Sequence, residues 1–224
     1  MKRIFIILVL ITVSNQLVSA QNFVEDLAKA YKAYENASRL DFKMAVKIYE
    51  GTSTKPMVRE INIHRQDDAF VYQDQQMTTV MGEQGLVMLD GEEKEIVFQK
   101  LTKNERATLS KKMHEQQFDF DLSGFEKVTF VGESNGVKHY QLMLSDHVIR
   151  QVDVYLNSKT LMFQKLVYDY FPDEDDISHK VITEFSNTQR LAANMYDVAS
   201  YVDLVNKEPK PSQAYPDYEL LLVQ

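Results

Sequence analysis

The hydrophobic positions of this chain alternate more often than they recur at helical spacing. In LDFKMAVKIYE (residues 40–50), Phe42, Met44, Val46 and Ile48 share one face and Lys43 and Lys47 the other, the two-residue period of a strand. MVREINIHR (57–65) repeats the pattern with Met57, Arg59, Ile61 and Ile63 on one side. AFVYQDQQMTTVMG (69–82) predicts one strand, or two with a bend. GLVMLDGEEKEIVFQK (85–100) predicts two strands around Gly91, but it is apolar on both faces: Leu86 and Met88 point one way, Val87 and Leu89 the other, and Ile96 and Phe98 oppose Val97. A sheet with one wet face does not need this, so something must cover the second face. FEKVTFVG (125–132) and KHYQLML (138–144) flank Asn135-Gly136, a strong hairpin signal. HVIRQVDVYL (147–156), TLMFQKLVYDYF (160–171) and SHKVITEF (178–185) continue the series, and DYELLLVQ supplies a final edge strand.

Two stretches break the alternation. FVEDLAKAYKAYENAS (23–38) places Phe23, Leu27, Ala30, Tyr31 and Tyr34 on one side of a helix, with Glu25, Asp26, Lys29 and Lys32 falling mostly elsewhere. LTKNERATLSKKMHEQQ (101–117) opens on Thr102 with Glu105 three residues later, a capping box, and carries a thin apolar stripe of Leu109 and Met113. About ten strands and two helices predict a mainly β (α+β) chain. So many consecutive antiparallel strands favour a strongly curved sheet or an unclosed barrel.

The first twenty residues stand apart. Lys2 and Arg3 precede an apolar run from Ile4 to Val13, and Val18-Ser19-Ala20 sets small residues before a cut. This pattern predicts a secretory signal peptide, residues 1–20, cleaved near Ala20. The run is too short to span a bilayer. Residues 21–206 are then one domain, and 207–224 a Pro-rich linker and C-terminal tail. The chain has no cysteine, which excludes thiolate metal sites, cysteine nucleophiles and a lipid-anchored cysteine. Net charge is −8, and −10 once the charges of Lys2 and Arg3 are removed, which disfavours nucleic acid and anionic membranes.

Little in the chain points to catalysis. His64, His114, His139, His147 and His179 show no metal-pair spacing. Asp173-Glu174-Asp175-Asp176 lacks the alternation of a calcium loop and reads as a charged turn. No serine lies in a G-x-S-x-G context. No enzyme activity, metal or cofactor is expected. Methionine is the unusual choice: Met44, Met57, Met77, Met81, Met88, Met143 and Met162 fall in predicted strands, where β-branched and aromatic residues are the rule. They either fill gaps in an ordinary core or line an adaptable apolar cavity.

The order of these motifs resembles the periplasmic outer-membrane lipoprotein carrier superfamily, the LolA-like and lipoprotein-sorting proteins. The resemblance rests on the helix entering LDFKMAVKIYEG, on Lys55-Pro56 followed by Arg59, and on GLVMLDGEEKEIVFQ. VGESNGVKHYQLML and VYLNSKTLMFQKLVY complete it, over about residues 23–190. It implies an unclosed barrel whose concave face is covered by helices and holds an apolar cavity. The lining would come from Phe42, Met44, Val46, Ile61, Ile63, Met88, Phe98, Val154 and Phe163, with Arg59 as a polar gate. It implies a periplasmic, monomeric carrier of acylated lipoprotein or lipid, working between a membrane-bound donor and an acceptor. The alternative on the same fold is a protein-interaction or sensor domain without lipid transport.

Overall fold

The computed structural model describes residues 22–117, 124–144, 148–174, 176–188, 193–204 and 209–223. The expected leader, His147 and part of the expected linker lie outside these residues, as do the side chains of Met113 and His114. The described chain is mainly β and divides into two compact units. The first takes its residues from Met1–Asn36, Val46–Val58 and Phe120–Phe185, the second from Ala37–Ala45, Arg59–Asp119 and Ser186–Gln224. Strands β1 (Arg39–Glu50), β2 (Met57–Gln66) and β11 (His179–Asn187) contribute residues to both.

In the first unit, helix α1 (residues 22–36) is followed later in the chain by β7 (Phe125–Ser134), β8 (Val137–Leu144), β9 (Ile149–Asn157), β10 (Phe163–Tyr170) and β11 (His179–Asn187). Before them in chain order come β3 (Ala69–Gln73), β4 (Met77–Gly82), β5 (Gly85–Asp90), β6 (Glu95–Lys100) and helix α2 (Lys103–Gln117), all of the second unit. The strands β7 to β11 form an antiparallel meander. Asn135 and Gly136 make the β7–β8 turn with φ of 52° and 74°, the left-handed pair that a two-residue hairpin of this twist demands. Register sets Tyr140 against Val154 and Val154 against Leu166, so these side chains share a face. That face is covered by α1, whose Phe23, Leu27, Ala30 and Tyr34 are all buried. The Phe23 and Tyr140 rings lie 5.1 Å apart, and Tyr34 stacks on Phe163 at 6.0 Å. Each such side chain stabilises the unit by about 1.5–3 kcal/mol through burial.

In the second unit the hydrogen-bonded order is β14-β6-β5-β4-β3-β2-β1, where β14 is Glu219–Val223. Neighbouring strands from β2 to β6 pair antiparallel, whereas β14 runs parallel to β6. Neither strand series closes on itself among the described residues. The 69–82 segment is two strands, with Asp74 capping the bend through the N–H groups of Gln76 and Met77.

The doubly apolar stretch 85–100 has both faces occupied. Val87, Leu89, Ile96 and Phe98 pack with Val71 and Val80 against Tyr196, Val198, Tyr201 and Val202. On the other face Leu86 packs with Phe70, Met81, Leu101 and Leu109 of α2. The capping box forms as expected: Thr102 N donates to Glu105 Oε2 at 2.7 Å, and Glu105 N to Thr102 Oγ1 at 3.3 Å.

The C-terminal stretch supplies the expected final edge strand as β14. Two 3-10 turns, Ala193–Tyr196 and Val198–Ser200, lead into β12 (Val202–Asp203), which pairs with β13 (Lys210–Pro211). Tyr201 stacks on Tyr215 at 5.7 Å, and Tyr215 meets Tyr218 edge-on at 5.2 Å. Tyr215, Tyr218 and Leu220 pack on the buried cluster. Prolines break regular structure here, and Tyr215 and Tyr218 beside them pack their rings on the cluster.

Candidate functional site

The residues expected to line one cavity are distributed between the units. Val46, Val154 and Phe163 belong to the first; Phe42, Met44, Ile61, Ile63, Met88, Phe98 and Arg59 belong to the second. In the first unit Val154 (0% exposed) and Phe163 (4%) are on the sheet face under α1. In the second unit register pairs Val87 with Phe98 and Met88 with Val97, so Met88 and Phe98 point to opposite faces. One lining cannot hold both. Phe98 belongs to the cluster under residues 196–202. Ile63 shares the Met88 face through Tyr72 and Thr79, and is buried like Ile61. Phe42, Met44, Val46 and Met88 are half-buried.

Arg59 forms an ion pair with Asp74. Burial works to raise the Asp74 carboxyl, but the hydrogen bonds from Arg59 and from the Met77 and Gln76 amides outweigh it and hold the carboxyl below the usual range. The guanidinium thus fastens the β3–β4 bend.

Three described histidines each meet an aspartate, which the scattered spacing of the sequence did not reveal. His64 is buried, with Nδ1 2.9 Å from Asp41 Oδ1, and Arg39 Nε donates to Asp41 Oδ2 at 2.6 Å. Burial pushes the Asp41 carboxyl up, and the bonds from Arg39 and His64 bring it net below its ordinary value. His139 Nε2 lies 2.7 Å from Asp153 and its ring stacks on Tyr155 at 4.2 Å, with Lys165 Nζ over the other ring at 4.0 Å. His179 meets Asp173 at 3.1 Å. Among the described residues no serine or threonine hydroxyl hydrogen-bonds to these imidazoles, so no nucleophile–base pair is assembled. Nor do the described residues gather three metal-ligating side chains.

A buried polar cluster in the first unit was missed outright. Asp26, placed by the sequence on the wet side of its helix, is only 5% exposed. Its Oδ2 accepts from Lys138 Nζ at 2.6 Å and from the Tyr140 hydroxyl at 2.7 Å. Burial, and then the Asp26 carboxylate, push the Tyr140 phenol well up, so it stays a neutral donor. The signal was available: position 26 lies three residues after Phe23 and four before Ala30, both fully buried. The cluster borders a cavity of about 290 Å³. A second cavity, of about 480 Å³, lies in the second unit between Asp67, Asp68, Glu83, Lys103 and Arg106. Both are rimmed by charge. Among the described residues no helix is long and apolar enough to cross a membrane.

No protein-family model matches the chain, and no curated protein matches it. Among solved structures it is similar to an uncharacterized conserved protein from Thermus thermophilus, at a TM-score of 0.43 and 11% identity, over 90% of this chain and 99% of that one. It is similar to a chain of the Pseudomonas aeruginosa MucA/MucB complex, at a TM-score of 0.42 and 13% identity, over 77% of this chain and 59% of that one. It is also similar to a DUF1329 family protein from Desulfovibrio piger, at a TM-score of 0.32 and 8% identity, over 79% and 97% of the two chains. Likenesses of this extent leave function to be argued from the chain itself.

Proposed function

We propose that this chain is an exported, non-enzymatic interaction module that binds a protein partner on its surface. One observation carries this reading: sheet faces expected to enclose an acyl cavity are occupied by the chain's own side chains. Val154 and Phe163 are buried on the face that α1 covers, and Phe98 is buried against Tyr196, Val198, Tyr201 and Val202. An acyl chain would have to displace these contacts, losing in protein burial what it gains in its own. A second reading, the carrier of acylated lipoprotein or lipid between a membrane-bound donor and an acceptor, is favoured by the half-buried Phe42, Met44 and Val46 along β1.

The two readings separate by mass spectrometry of solvent extracts from protein purified without detergent, together with uptake of a fluorescent acyl-chain probe. The interaction module gives a clean extract and no saturable uptake. Stoichiometric lipid in the extract overturns it in favour of the carrier.

A further inference from the structure

The Asp26 cluster has a composition that stability does not require. A carboxylate has been placed on the core-facing stripe of α1, where leucine would pack, and it is paired with a strand lysine. Replacing a buried ion pair by apolar residues of similar size is commonly neutral or stabilising. Both bonds that Asp26 receives fall on Oδ2. Among the described residues Oδ1 receives none, and Asp26 lines the 290 Å³ cavity. Lys138 donates one hydrogen to Asp26 and has two more, with its side chain 24% exposed. The wall therefore offers an unused acceptor and unused cationic donors side by side. Phe130, 39% exposed and 5.2 Å from the Tyr140 ring, adds an aromatic face. At the rim Lys29 pairs with Glu25 at 2.5 Å.

The charges of the lining decide the ligand class. Glu25 and Asp26 balance Lys29 and Lys138, so the cavity is formally neutral. A free anion would meet Asp26 and the acidic field of the whole chain, and a free cation would meet Lys138. A molecule that carries an ammonium and an oxyanion a few bonds apart satisfies both walls. Its ammonium donates to Asp26 Oδ1 and lies near the Phe130 ring, and its oxyanion accepts from Lys138. We propose that this cavity binds a small ammonium–oxyanion zwitterion of the aminoalkyl phosphate kind, either free or as the headgroup of a lipid. The site does not depend on whether the surface docks a protein or an internal cavity carries acyl chains.

The test is a nuclear magnetic resonance titration of the isotope-labelled mature chain with O-phosphoethanolamine. Saturable shifts are expected in the amides of residues 22–29 and 137–141. Ethanolamine alone and inorganic phosphate alone should bind at least about tenfold more weakly. Phosphocholine, which has no ammonium N–H to donate, should also be weaker. Sedimentation with phosphatidylethanolamine vesicles, compared with phosphatidylcholine vesicles, separates the two sources: selective co-sedimentation identifies a lipid headgroup, and binding of the free probe alone identifies a soluble zwitterion. Asp26→Asn should weaken binding at least about tenfold. Because that variant weakens the pairing of the half-buried Lys138 ammonium, the triple variant Asp26→Leu/Lys138→Met/Tyr140→Phe, which also removes the hydroxyl that donates to Asp26, is the decisive partner. It should keep the melting temperature and lose the ligand. The proposal is overturned by the absence of saturable shifts, by phosphate alone binding as tightly as the zwitterion, or by unchanged affinity in the folded triple variant.

Discussion

Gly82→Ala tests whether the C-terminal segment lies on the second unit's sheet. Gly82 ends β4 without a left-handed φ, so its backbone accepts alanine, and relief of unfolded-chain entropy would stabilise the protein by about 0.4–1 kcal/mol if space were open. Space is not open. An alanine Cβ would stand 2.1 Å from the Tyr196 carbonyl oxygen and 3.4 Å from Val198 Cγ2. To restore ordinary contact the carbonyl must retreat by about 1.3 Å, from 2.1 Å to the 3.4 Å where such contact begins. Tyr196 is 9% exposed and Val198 0%, so the turn that carries them has little room to move. Overpacking of this kind costs about 1–3 kcal/mol, and at this size each kcal/mol lowers the melting temperature by about 2–4 °C. Gly124→Ala, with nothing within 4 Å of the added methyl, is the control and should be neutral or slightly stabilising. Thermal unfolding followed by circular dichroism reads both, and dye binding to newly exposed apolar surface should rise in Gly82→Ala alone. A Gly82→Ala protein as stable as wild type would refute the packing of residues 193–202 on β4, and with it half of the argument for a filled sheet.

Two further outcomes follow from the buried tyrosines. Tyr34→Phe keeps the stack on Phe163 but removes the oxygen that accepts from the Phe163 backbone N–H at 3.1 Å; leaving that buried donor without this acceptor should cost about 1–3 kcal/mol in urea unfolding, and an unchanged midpoint would show the bond to be dispensable. Burial pushes Tyr34, Tyr168 and Tyr201 up to about 12, so the neutral phenols favour the fold: their contribution is whole below the ordinary value of 10 and should drain away as pH rises from 10 toward about 12, and a phenolate absorbance titration in which all tyrosines of the folded protein ionise near 10 would contradict it.

What the sequence made legible was local chemistry. Thr102 with Glu105, and Asn135 with Gly136, act within three residues of themselves, so their geometry followed from the residues alone. Alternation likewise assigned Val87 and Met88 to opposite faces of β5. It could not say what lies over each face, because the covering groups are distant: Leu109 on one side, Tyr196 to Val202 on the other. The stretch holding those latter residues carried no period to read, and the prolines beyond it suggested a linker, although Tyr201, Tyr215 and Tyr218 were visible as an apolar payload. Asp26 was misplaced for a different reason. Charge by itself points to the wet side of α1, whereas a carboxylate that receives Lys138 and the Tyr140 hydroxyl can sit on the dry side.

The methionines show why composition alone could not settle the site. Their number in the strands suggested a lining, and a lining requires a common face. The structure divides them instead. Met81 is fully buried in the cluster with Phe70 and Leu101, Met44, Met88 and Met162 are half-buried, and Met57, Met77 and Met143 stand exposed. Flexibility suits methionine to each of these places separately: it fills an irregular gap beside Phe70 and tolerates solvent at a strand end. Only register distributes side chains between faces, and register is fixed by turns and long-range pairing that a count of methionines does not contain.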